Sequence, residues 1–294
     1  MNYATVQIAG GLGNQLYSYA FGRALTEYKK IKVYYDCESA FWADPYKREF
    51  ILDDFENIKI KTIFVPKTSL GRLLFKTKNK IKKYISNYCR ISSKLFLLEA
   101  EPYKFRNRLI QTDYKRNIYF SGYWQSYKYF ESIQGLRDEL SPPEPRLDYS
   151  KKALDEIRNS NSCAVHWRFY TEHKEYNKQL LNYYLASIAQ IQEKNPDTKF
   201  FIFSDDHTQA KRMLKQVNIE SIFVDNKEAQ GNRQSLEDFY LMYACKNIII
   251  GNSSFSWWAA WLSDHGKKLV YFPYNLSPYG DDWTPKHWQR VDFD

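Results

Sequence analysis

The chain has 294 residues, of which 44% are hydrophobic and 26% charged, so it has enough apolar material for a folded core and is not disordered. Its mean hydropathy is −0.64, and its purely apolar stretches are far shorter than the roughly 20 residues that cross a bilayer, which excludes an integral membrane protein. The net charge of +9 comes from residues 57–98, which contain eleven Lys or Arg and no acid, whereas the remainder has a net charge of −2. Because the basicity is local and no RNA- or DNA-binding module is recognisable, we expect no nucleic-acid partner.

The amino-terminal residues predict a cytoplasmic protein. Residues 4–9 form an apolar, strand-like run that no basic leader or long apolar segment of a signal peptide precedes. The four cysteines are widely spaced without a Cys-x-x-Cys pair, which predicts reduced structural thiols instead of a zinc site or a disulfide framework. They are Cys37, Cys89, Cys163 and Cys245.

Strand-like runs alternate with amphipathic helical stretches along the chain, which is the pattern of an α/β protein with parallel sheets. A strand at residues 5–9 is followed by a glycine-rich turn at residues 10–15, a helix and a second strand at residues 31–35. Backbone amides and a helix N-terminus in such a turn can hold a phosphate. Asp36 also fits a dinucleotide-binding fold, although Leu16 replaces the third glycine of that fingerprint, and a tight turn without a ligand is the alternative.

Residues 67–98 mix lysines with bulky apolar residues and predict an amphipathic helix or a pair of helices. Such a surface can rest on anionic lipid, which would make the protein peripheral at the inner membrane face. The alternative is a solvated helix whose apolar side packs on the domain.

A proline-rich segment at residues 141–145 predicts the domain linker, because proline lacks an amide donor and restricts the residue before it. It separates an amino-terminal domain, residues 1–141, from a carboxyl-terminal domain, residues 150–294. Predicted strands of the second domain are residues 163–167, 200–203, 221–224, 247–250 and 268–272, and predicted helices are residues 180–194, 207–217, 235–244 and 255–263.

Polar residues follow three of these strands, at the carboxyl edge where α/β proteins bind ligands. His166 and Arg168 lie on the same side of the first strand, and the planar fork of an arginine suits a phosphate. A surface arginine beside a structural histidine is the alternative reading.

Asp205 and Asp206 follow the second strand, where a carboxylate can accept hydrogen bonds from guanine or cap the next helix. Residues 252–256, Asn-Ser-Ser-Phe-Ser, follow the third, and their hydroxyl groups can cap a helix and bind an anion. We expect the tryptophans that come next to belong to the core.

Other catalytic motifs are missing from the sequence. Asp292 and Asp294 have the Asp-x-Asp spacing of metal-dependent sugar transferases, but they form the last three residues with Phe293, which predicts a frayed tail. There is no zinc spacing, no Gly-x-x-x-x-Gly-Lys-[Ser/Thr] loop and no Gly-x-Ser-x-Gly elbow. ATPases and α/β hydrolases are therefore disfavoured.

Together, the motifs resemble one family. Gly-Gly-Leu-Gly-Asn-Gln at residues 10–15, His-x-Arg at 166–168, Phe-Ser-Asp-Asp at 203–206 and Asn-Ser-Ser-Phe-Ser-Trp-Trp at 252–258 occur in the order found in the α-1,2-fucosyltransferases of glycosyltransferase family eleven. The resemblance covers nearly the whole chain, including residues 121–130 and 236–242.

The resemblance implies a GT-B architecture, in which two Rossmann-like domains face a cleft, and an inverting transfer of L-fucose from GDP-β-L-fucose without a metal or other cofactor. The basic amphipathic segment suits a lipid-linked glycan, such as a surface-polysaccharide precursor, as the acceptor. The resemblance implies a galactose-containing oligosaccharide as the acceptor, at the amino-terminal domain. It also implies donor contacts in both domains, with Arg168 at the diphosphate and His166 beside it. The remaining implied donor-binding residues are Gly11, Gly13, Asn14, Gln15, Asp205, Asp206, Asn252, Ser253, Ser254 and Phe255.

The chain departs from the family pattern directly after Arg168. The family usually reads His-x-Arg-Arg-Gly-Asp, whereas Phe169, Tyr170 and Thr171 stand here. Because the aspartate is absent, Glu172 and His173 are the nearest titratable candidates for a general base, and we count Glu172 with Arg168 and His166 as catalytic. The departure keeps open a transferase for another GDP-linked deoxy sugar and a silent GDP-sugar- or glycan-binding protein.

Overall fold

The computed structural model describes residues 2–169, 174–215, 217, 219–225, 232–264, 268–274 and 280–291. The chain divides into two compact units. Unit 1 contains residues 1–141 and 281–285, and unit 2 contains residues 142–280 and 286–294. Each unit combines helices with a parallel sheet, so the α/β prediction is confirmed.

Unit 1 is built around a parallel sheet. Its strands are β1 (Tyr3–Gln7), β2 (Lys32–Asp36), β3 (Phe96–Leu98) and β4 (Ile118–Ser121), and its helices are α1 (Leu12–Lys29), α2 (Ser69–Asn87), α3 (Asn107–Gln111) and α4 (Leu136–Glu139). The strand order is β2-β1-β4-β3, and Ala4 of β1 lies between Val33 of β2 and Ile118 of β4. Ala4 and Val6 are completely buried, as expected for a central strand with both faces covered.

Helix α1 packs closely against this sheet. Its Phe21 stacks on Trp124 with ring centroids 4.3 Å apart. A Cβ atom at Gly22 would lie 2.4 Å from Tyr35 Oη, so only glycine permits this approach of helix and strand. The glycine-rich turn therefore leads into a helix that is fixed in the core of unit 1.

Helix α2 occupies the first part of the basic segment. Thr68 caps it by accepting a hydrogen bond from Gly71 N, and a short 3₁₀ turn at Ile91–Ser93 follows before β3, so no second α-helix forms in residues 67–98. Leu70, Leu73 and Leu74 are all more than 60% exposed, so the alternative in which the apolar side packs on the domain is wrong for these residues. No helix in the described part of the chain has both the length and the apolar character to cross a membrane.

Residues 281–285 return to unit 1 late in the sequence. Asp282 accepts hydrogen bonds from Phe105 N at 2.9 Å and from Lys128 Nζ at 2.6 Å, and its carbonyl accepts one from Ser126 Oγ. Trp283 is buried in the same unit. These contacts tie a short carboxyl-terminal segment to the amino-terminal fold.

Unit 2 contains a larger parallel sheet. Its strands are β5 (Asn161–Trp167), β6 (Thr198–Ser204), β7 (Ser221–Phe223), β8 (Asn247–Ile249), β9 (Val270–Pro273) and β10 (Gln289–Val291), and its helices are α5 (Asp148–Arg158), α6 (Lys174–Lys194), α7 (His207–Leu214), α8 (Asn232–Ala244) and α9 (Ser254–Ser263). In the order β10-β9-β8-β5-β6-β7, β5 lies between β8 and β6. This order brings the ends of the three predicted motif-bearing strands side by side.

Aromatic side chains fill the core of unit 2. On α6, Tyr183 and Tyr184 are completely buried, and Tyr184 packs on Trp167 of β5 with ring centroids 4.3 Å apart. Trp257 and Trp258 of α9 are also completely buried. The tryptophans therefore belong to the core, as the sequence predicts.

Candidate functional site

The polar segments of unit 2 meet at one edge of its sheet. Strands β8, β5 and β6 are neighbours and run parallel, so the residues that follow them lie together at the carboxyl edge. His166 is paired in register with Phe203, and Trp167 with Ser204. Arg168 and Asp205 are consequently the first residues beyond two adjacent strand ends.

Arg168 and Asp205 form the exposed part of this edge. Arg168 Nε lies 4.0 Å from Asp205 Oδ2, and the two side chains are 55% and 48% exposed. Asp205 Oδ1 accepts a hydrogen bond from Phe169 N at 2.9 Å, which holds the carboxylate beside the guanidinium group. A contact of 4.0 Å between exposed groups is weak, so the guanidinium group is available to an anion.

Asp206 has a clear local role. It caps α7 by accepting a hydrogen bond from Gln209 N at 2.8 Å, and its own amide donates to Ser204 Oγ. The bond from the Gln209 amide holds the pKa of this carboxyl below its usual range. Asp206 therefore shapes the loop, and its predicted contact with guanine stays a prediction.

His166 is held as a neutral imidazole. Burial lowers its pKa to about 3, and the charge of Arg168 adds to the shift. Its Nδ1 atom is enclosed and has no hydrogen-bond partner among the described residues. Its ring lies 5.8 Å from that of Phe255. A neutral imidazole can form a hydrogen bond with a ligand. Because its basicity is so low, it is a poor general base.

Gly251 is a residue of this edge that the sequence reasoning missed. A Cβ atom there would lie 2.7 Å from Tyr184 Oη and 3.0 Å from the His166 carbonyl oxygen. Tyr184 Oη donates a hydrogen bond to that same carbonyl at 2.7 Å, and Tyr183 Oη donates one to the carbonyl of Ile250 at 2.8 Å. The sequence signal that could have identified Gly251 is its position directly after the predicted strand at residues 247–250.

The turn after β8 ends at the N-terminus of α9. Ser253 is the N-cap residue, and its hydroxyl oxygen accepts a hydrogen bond from Phe255 N at 3.3 Å. The side chains of Asn252, Ser253 and Ser254 are half-buried. A capped helix N-terminus and an exposed arginine that follow neighbouring strands of one sheet form a favourable environment for an anion.

Asp238 of α8 is a second residue without a predicted role, although it lies in a stretch that carries the family resemblance. Burial raises its pKa to about 7, and the carboxylates of Glu237 and Asp225 add to the shift. Its Oδ1 atom has no hydrogen-bond partner in the described part of the chain. Asp225 lies two residues after the end of β7. This side of unit 2 therefore has further acidic groups besides Asp205 and Asp206.

The glycine-rich turn of unit 1 also connects a strand to a helix. Gly10 has φ +77°, and a Cβ atom there would lie 2.8 Å from Asn14 Nδ2, so glycine is required. Gly11 is the N-cap of α1, and the space beside it is open. Asn14 Oδ1 accepts a hydrogen bond from Gln125 Nε2 at 2.7 Å, and Gly13 is buried in the first helical turn.

Gln15 is occupied within unit 1. It is completely buried, its Nε2 donates to the carbonyls of Gly10 and Glu49, and its Oε1 accepts from Ile51 N. Asp36 is equally enclosed and accepts a hydrogen bond from Tyr119 Oη at 2.5 Å and others from Ser39. The carboxylate of Asp36 is thus saturated by its own unit, which removes the basis for a dinucleotide ribose contact.

Glu99 fixes the segment after β4. Its carboxylate accepts hydrogen bonds from Tyr123 N at 2.6 Å and Trp124 N at 2.9 Å, although Trp124 has the left-handed φ of +55°. Burial raises the pKa of Glu99 to about 7. The sequence signal was an acid directly after an apolar run.

Some predicted residues lie outside the described ones. They are Glu172 and His173, together with Tyr170, Thr171 and the carboxyl-terminal Asp292 and Asp294. Among the described residues, no group of three or more His, Cys, Asp or Glu is arranged to hold a metal ion. All four cysteines are free thiols.

Comparison with known sequences gives a consistent result. A family model described as "Glycosyl transferase family 11" matches residues 4–283. An α-1,2-colitosyltransferase from Escherichia coli is 30% identical to the chain, over 99% of this chain and 100% of its own length. The O-antigen biosynthesis glycosyltransferase WbnK, also from Escherichia coli, is 25% identical over 90% of this chain and 92% of its own length.

Comparison with solved structures identifies the fold. A variant of FUT1 from Arabidopsis thaliana, in complex with GDP, has a TM-score of 0.56 at 13% identity, covering 94% of this chain and 71% of that one. NodZ α-1,6-fucosyltransferase from Bradyrhizobium, soaked with GDP-fucose, has a TM-score of 0.51 at 13% identity, covering 89% and 92%. These likenesses show that the two parallel-sheet units belong to the GT-B class.

Proposed function

The chain belongs to glycosyl transferase family 11, and we propose that it transfers L-fucose from GDP-β-L-fucose to a hydroxyl group, O2, of a galactose-containing oligosaccharide. The transfer inverts the anomeric carbon and needs no metal ion. The observation that carries the proposal is the edge of unit 2, where the exposed Arg168 stands beside the neutral His166 and the N-terminus of α9.

The proposed reaction is a single in-line displacement. The acceptor hydroxyl forms a bond to the anomeric carbon while the bond to the β-phosphate oxygen breaks and GDP leaves. Negative charge grows on the departing phosphate, and we assign its stabilisation to the Arg168 guanidinium group and to the N-terminal amides of α9, which Ser253 caps. His166, neutral at working pH, donates a hydrogen bond from its ring N–H to an oxygen of the diphosphate.

The proton of the acceptor hydroxyl has to leave as well. His166 is too weak a base for this step, because its pKa is about 3. The departing phosphate takes the proton unless a carboxylate does so, and Glu172 remains the candidate nearest to the position of the family aspartate. A Glu172→Gln variant that retains turnover would assign the proton to the phosphate.

A colitosyl donor is the second candidate, and two observations favour it. The α-1,2-colitosyltransferase is 30% identical over the full length. Phe169 stands where the family usually has a second arginine, and its buried ring stacks on Trp167, so this position offers no donor group to a sugar hydroxyl. A site that bonds the hydroxyl of fucose should reject an analogue without it by roughly 10⁴-fold, whereas a site without such a group should reject the extra hydroxyl by only roughly 10²-fold.

The test is GDP release in EDTA with galactose-terminated acceptors, comparing GDP-fucose, GDP-colitose and GDP-mannose. Acceptor-dependent turnover of GDP-fucose supports the first proposal, and preference for GDP-colitose supports the second. Turnover that appears only after a divalent metal is added contradicts the metal-free mechanism. GDP binding without turnover of these donors points to another donor sugar, to an acceptor outside the panel or to a silent sugar-nucleotide-binding protein.

The relative named for O-antigen biosynthesis supports a surface polysaccharide precursor as the acceptor. We assign acceptor recognition to unit 1, in line with the family resemblance. Free and lipid-linked acceptors that end in the same galactose disaccharide would separate recognition of the glycan from recognition of the lipid.

A further inference from the structure

Helix α2 has an apolar stripe on its outer side. With about 100° per residue, the stripe residues fall within roughly 120° of one another on the helix surface. They are Leu70, Leu73, Leu74, Ile81, Tyr84, Ile85 and Tyr88, which follows the last helical residue. Leu70 is 68% exposed and Tyr84 65%, so the stripe faces away from the fold of unit 1 along its whole length.

The opposite side of α2 is more polar, and it is the side that contacts unit 1. Arg72 lies over the ring of Trp42 at 5.2 Å, and Phe75 packs edge-on against the same ring. The buried Ser86 accepts hydrogen bonds from Leu95 N and Phe96 N at the start of β3. The helix is therefore attached through its polar side, the reverse of an ordinary surface helix.

The charges beside the stripe are all positive. On the same projection Lys78 and Lys80 lie about 80° to either side of its centre, and Lys76 and Lys83 lie further back. Residues 57–98 contain no acid that could neutralise them. Lys78 also lowers the pKa of Lys82, whose main shift comes from burial, which shows how closely the lysines are spaced.

This combination selects one class of partner. A second copy of α2 would bring the same lysines against these, so like charges oppose pairing of two stripes. A polyanion such as RNA would use the lysines and leave the apolar stripe in water. An anionic bilayer satisfies both, because the lysines meet lipid phosphates while the stripe enters the interface.

We propose that the apolar stripe of α2 and its flanking lysines bind the surface of an anionic lipid membrane, with the helix axis in the plane of the interface. The surface contains none of the residues assigned to the transfer reaction, so the proposal is independent of the donor sugar. It would hold the protein where a lipid-linked glycan is present.

The experiment is binding of the full chain to vesicles of phosphatidylcholine alone and of phosphatidylcholine mixed equally with phosphatidylglycerol, at low and raised salt. We expect binding to the mixed vesicles, weakening as salt screens the lysines, and little binding to phosphatidylcholine alone. Strong and equal binding to both vesicle types would overturn the electrostatic part of the proposal. Absence of binding to either would overturn all of it.

Two variants test the two parts of the surface. Lys78→Gln/Lys80→Gln/Lys83→Gln should weaken binding to mixed vesicles roughly a hundredfold, since each lysine near an anionic surface contributes a factor of roughly five. Its matched control, Lys152→Gln/Lys215→Gln/Lys286→Gln, removes the same charge from exposed positions elsewhere and should bind as the parent does. Equal losses in both would indicate that only net charge matters, which contradicts the proposal.

Leu70→Ser/Leu73→Ser/Leu74→Ser removes the apolar half of the stripe and should also weaken binding at least roughly a hundredfold, because burial of three leucines is lost. The three side chains are exposed, so we expect an unchanged thermal midpoint and circular dichroism spectrum. Binding equal to that of the parent would show that the stripe does not enter the membrane. A parent dimer that this variant dissociates, without vesicle binding by the parent, would assign the stripe to a second copy and overturn the proposal.

Discussion

The turn at residues 10–14 of unit 1 and the turn at residues 251–255 of unit 2 each lead from a parallel strand through a glycine into a helix. Their surroundings differ. Around the first turn, Gln15 and Asp36 are buried and fully engaged by their own unit. Around the second, Arg168 is more than half exposed and His166 Nδ1 has no partner among the described residues. The same strand–turn–helix arrangement thus has its polar side chains engaged within unit 1, whereas in the described part of unit 2 it leaves a guanidinium group exposed and a ring nitrogen without a partner.

The largest expected effect is at Arg168. Arg168→Ala should lower turnover roughly a hundred- to thousandfold, because it removes a preorganised positive charge from the departing phosphate. Steady-state GDP release measures this. Arg212→Ala is the matched control on the same unit, since Arg212 lies in the last turn of α7, and it should leave turnover nearly unchanged. Nearly full activity of Arg168→Ala would refute the assignment.

A substitution at Gln15 tests whether the polar residues around the turn of unit 1 stabilise the fold. Gln15→Ala should cost about 3 kcal/mol of unfolding free energy, because it leaves the amide of Ile51 and two carbonyls without their partner in a buried place. Chemical denaturation measures the loss, and the exposed Gln111→Ala serves as the control. If Gln15→Ala were as stable as the parent but bound GDP weakly, Gln15 would be a donor ligand instead.

One buried group in each unit, His166 in unit 2 and Glu99 in unit 1, should change stability with pH in opposite directions. The pKa of His166 is lowered from 6.5 to about 3, so its contribution is present above pH 6.5 and is lost as the pH falls, by about 2 kcal/mol between pH 7 and pH 5. The pKa of Glu99 is raised from 4.5 to about 7, so its contribution is present at low pH and is lost as the pH rises, by about 2 kcal/mol between pH 5 and pH 8.

Denaturation at several pH values checks this pair. His166→Gln should reduce the loss of stability in acid, and Glu99→Gln should reduce the loss in base, each relative to the parent. If either variant kept the pH profile of the parent, the corresponding shift would not exist.

The smallest effect compares two glycines. Gly251→Ala should cost about 1 to 2 kcal/mol, because its Cβ meets Tyr184 Oη and the His166 carbonyl, whereas Gly11→Ala, with open space beside it, should change stability by less than about 0.5 kcal/mol. Thermal denaturation gives both values. Gly11→Ala is also informative for turnover, since a loss of activity at unchanged stability would support the predicted donor contact. Equal costs at the two positions would contradict the packing described for them.

Much of the fold is readable from the sequence because parallel strands covered on both faces are continuous apolar runs. Strands β1, β5 and β6 are predicted within a few residues for that reason, and Arg168 and Asp205 meet because they follow the neighbouring strands β5 and β6. Strand β3 lies at the end of the basic segment and was not predicted as a strand. Residues 281–285 are also missed, because Asp282 bonds Phe105, a partner 177 residues away that leaves no local pattern.

The roles of individual polar residues were harder to foresee. Gln15 belongs to the family motif, but its three partners are brought to it by tertiary structure, so the motif alone could not show that the side chain is occupied. Glu99 and Asp238 acquire raised pKa values from burial, a property that follows from packing. Sequence patterns therefore predicted the position of the sheet edge in unit 2 better than they predicted which polar side chains are free to bind a ligand.

Amide hydrogen exchange of the full chain with and without GDP, in EDTA, tests the central claim most directly. We predict that GDP slows exchange in the segments that follow β5, β6 and β8, and that Arg168→Ala removes most of this protection while Arg212→Ala retains it. Unchanged exchange in all three segments, with GDP bound and protection elsewhere, would contradict the claim that the strand ends of unit 2 hold the nucleotide.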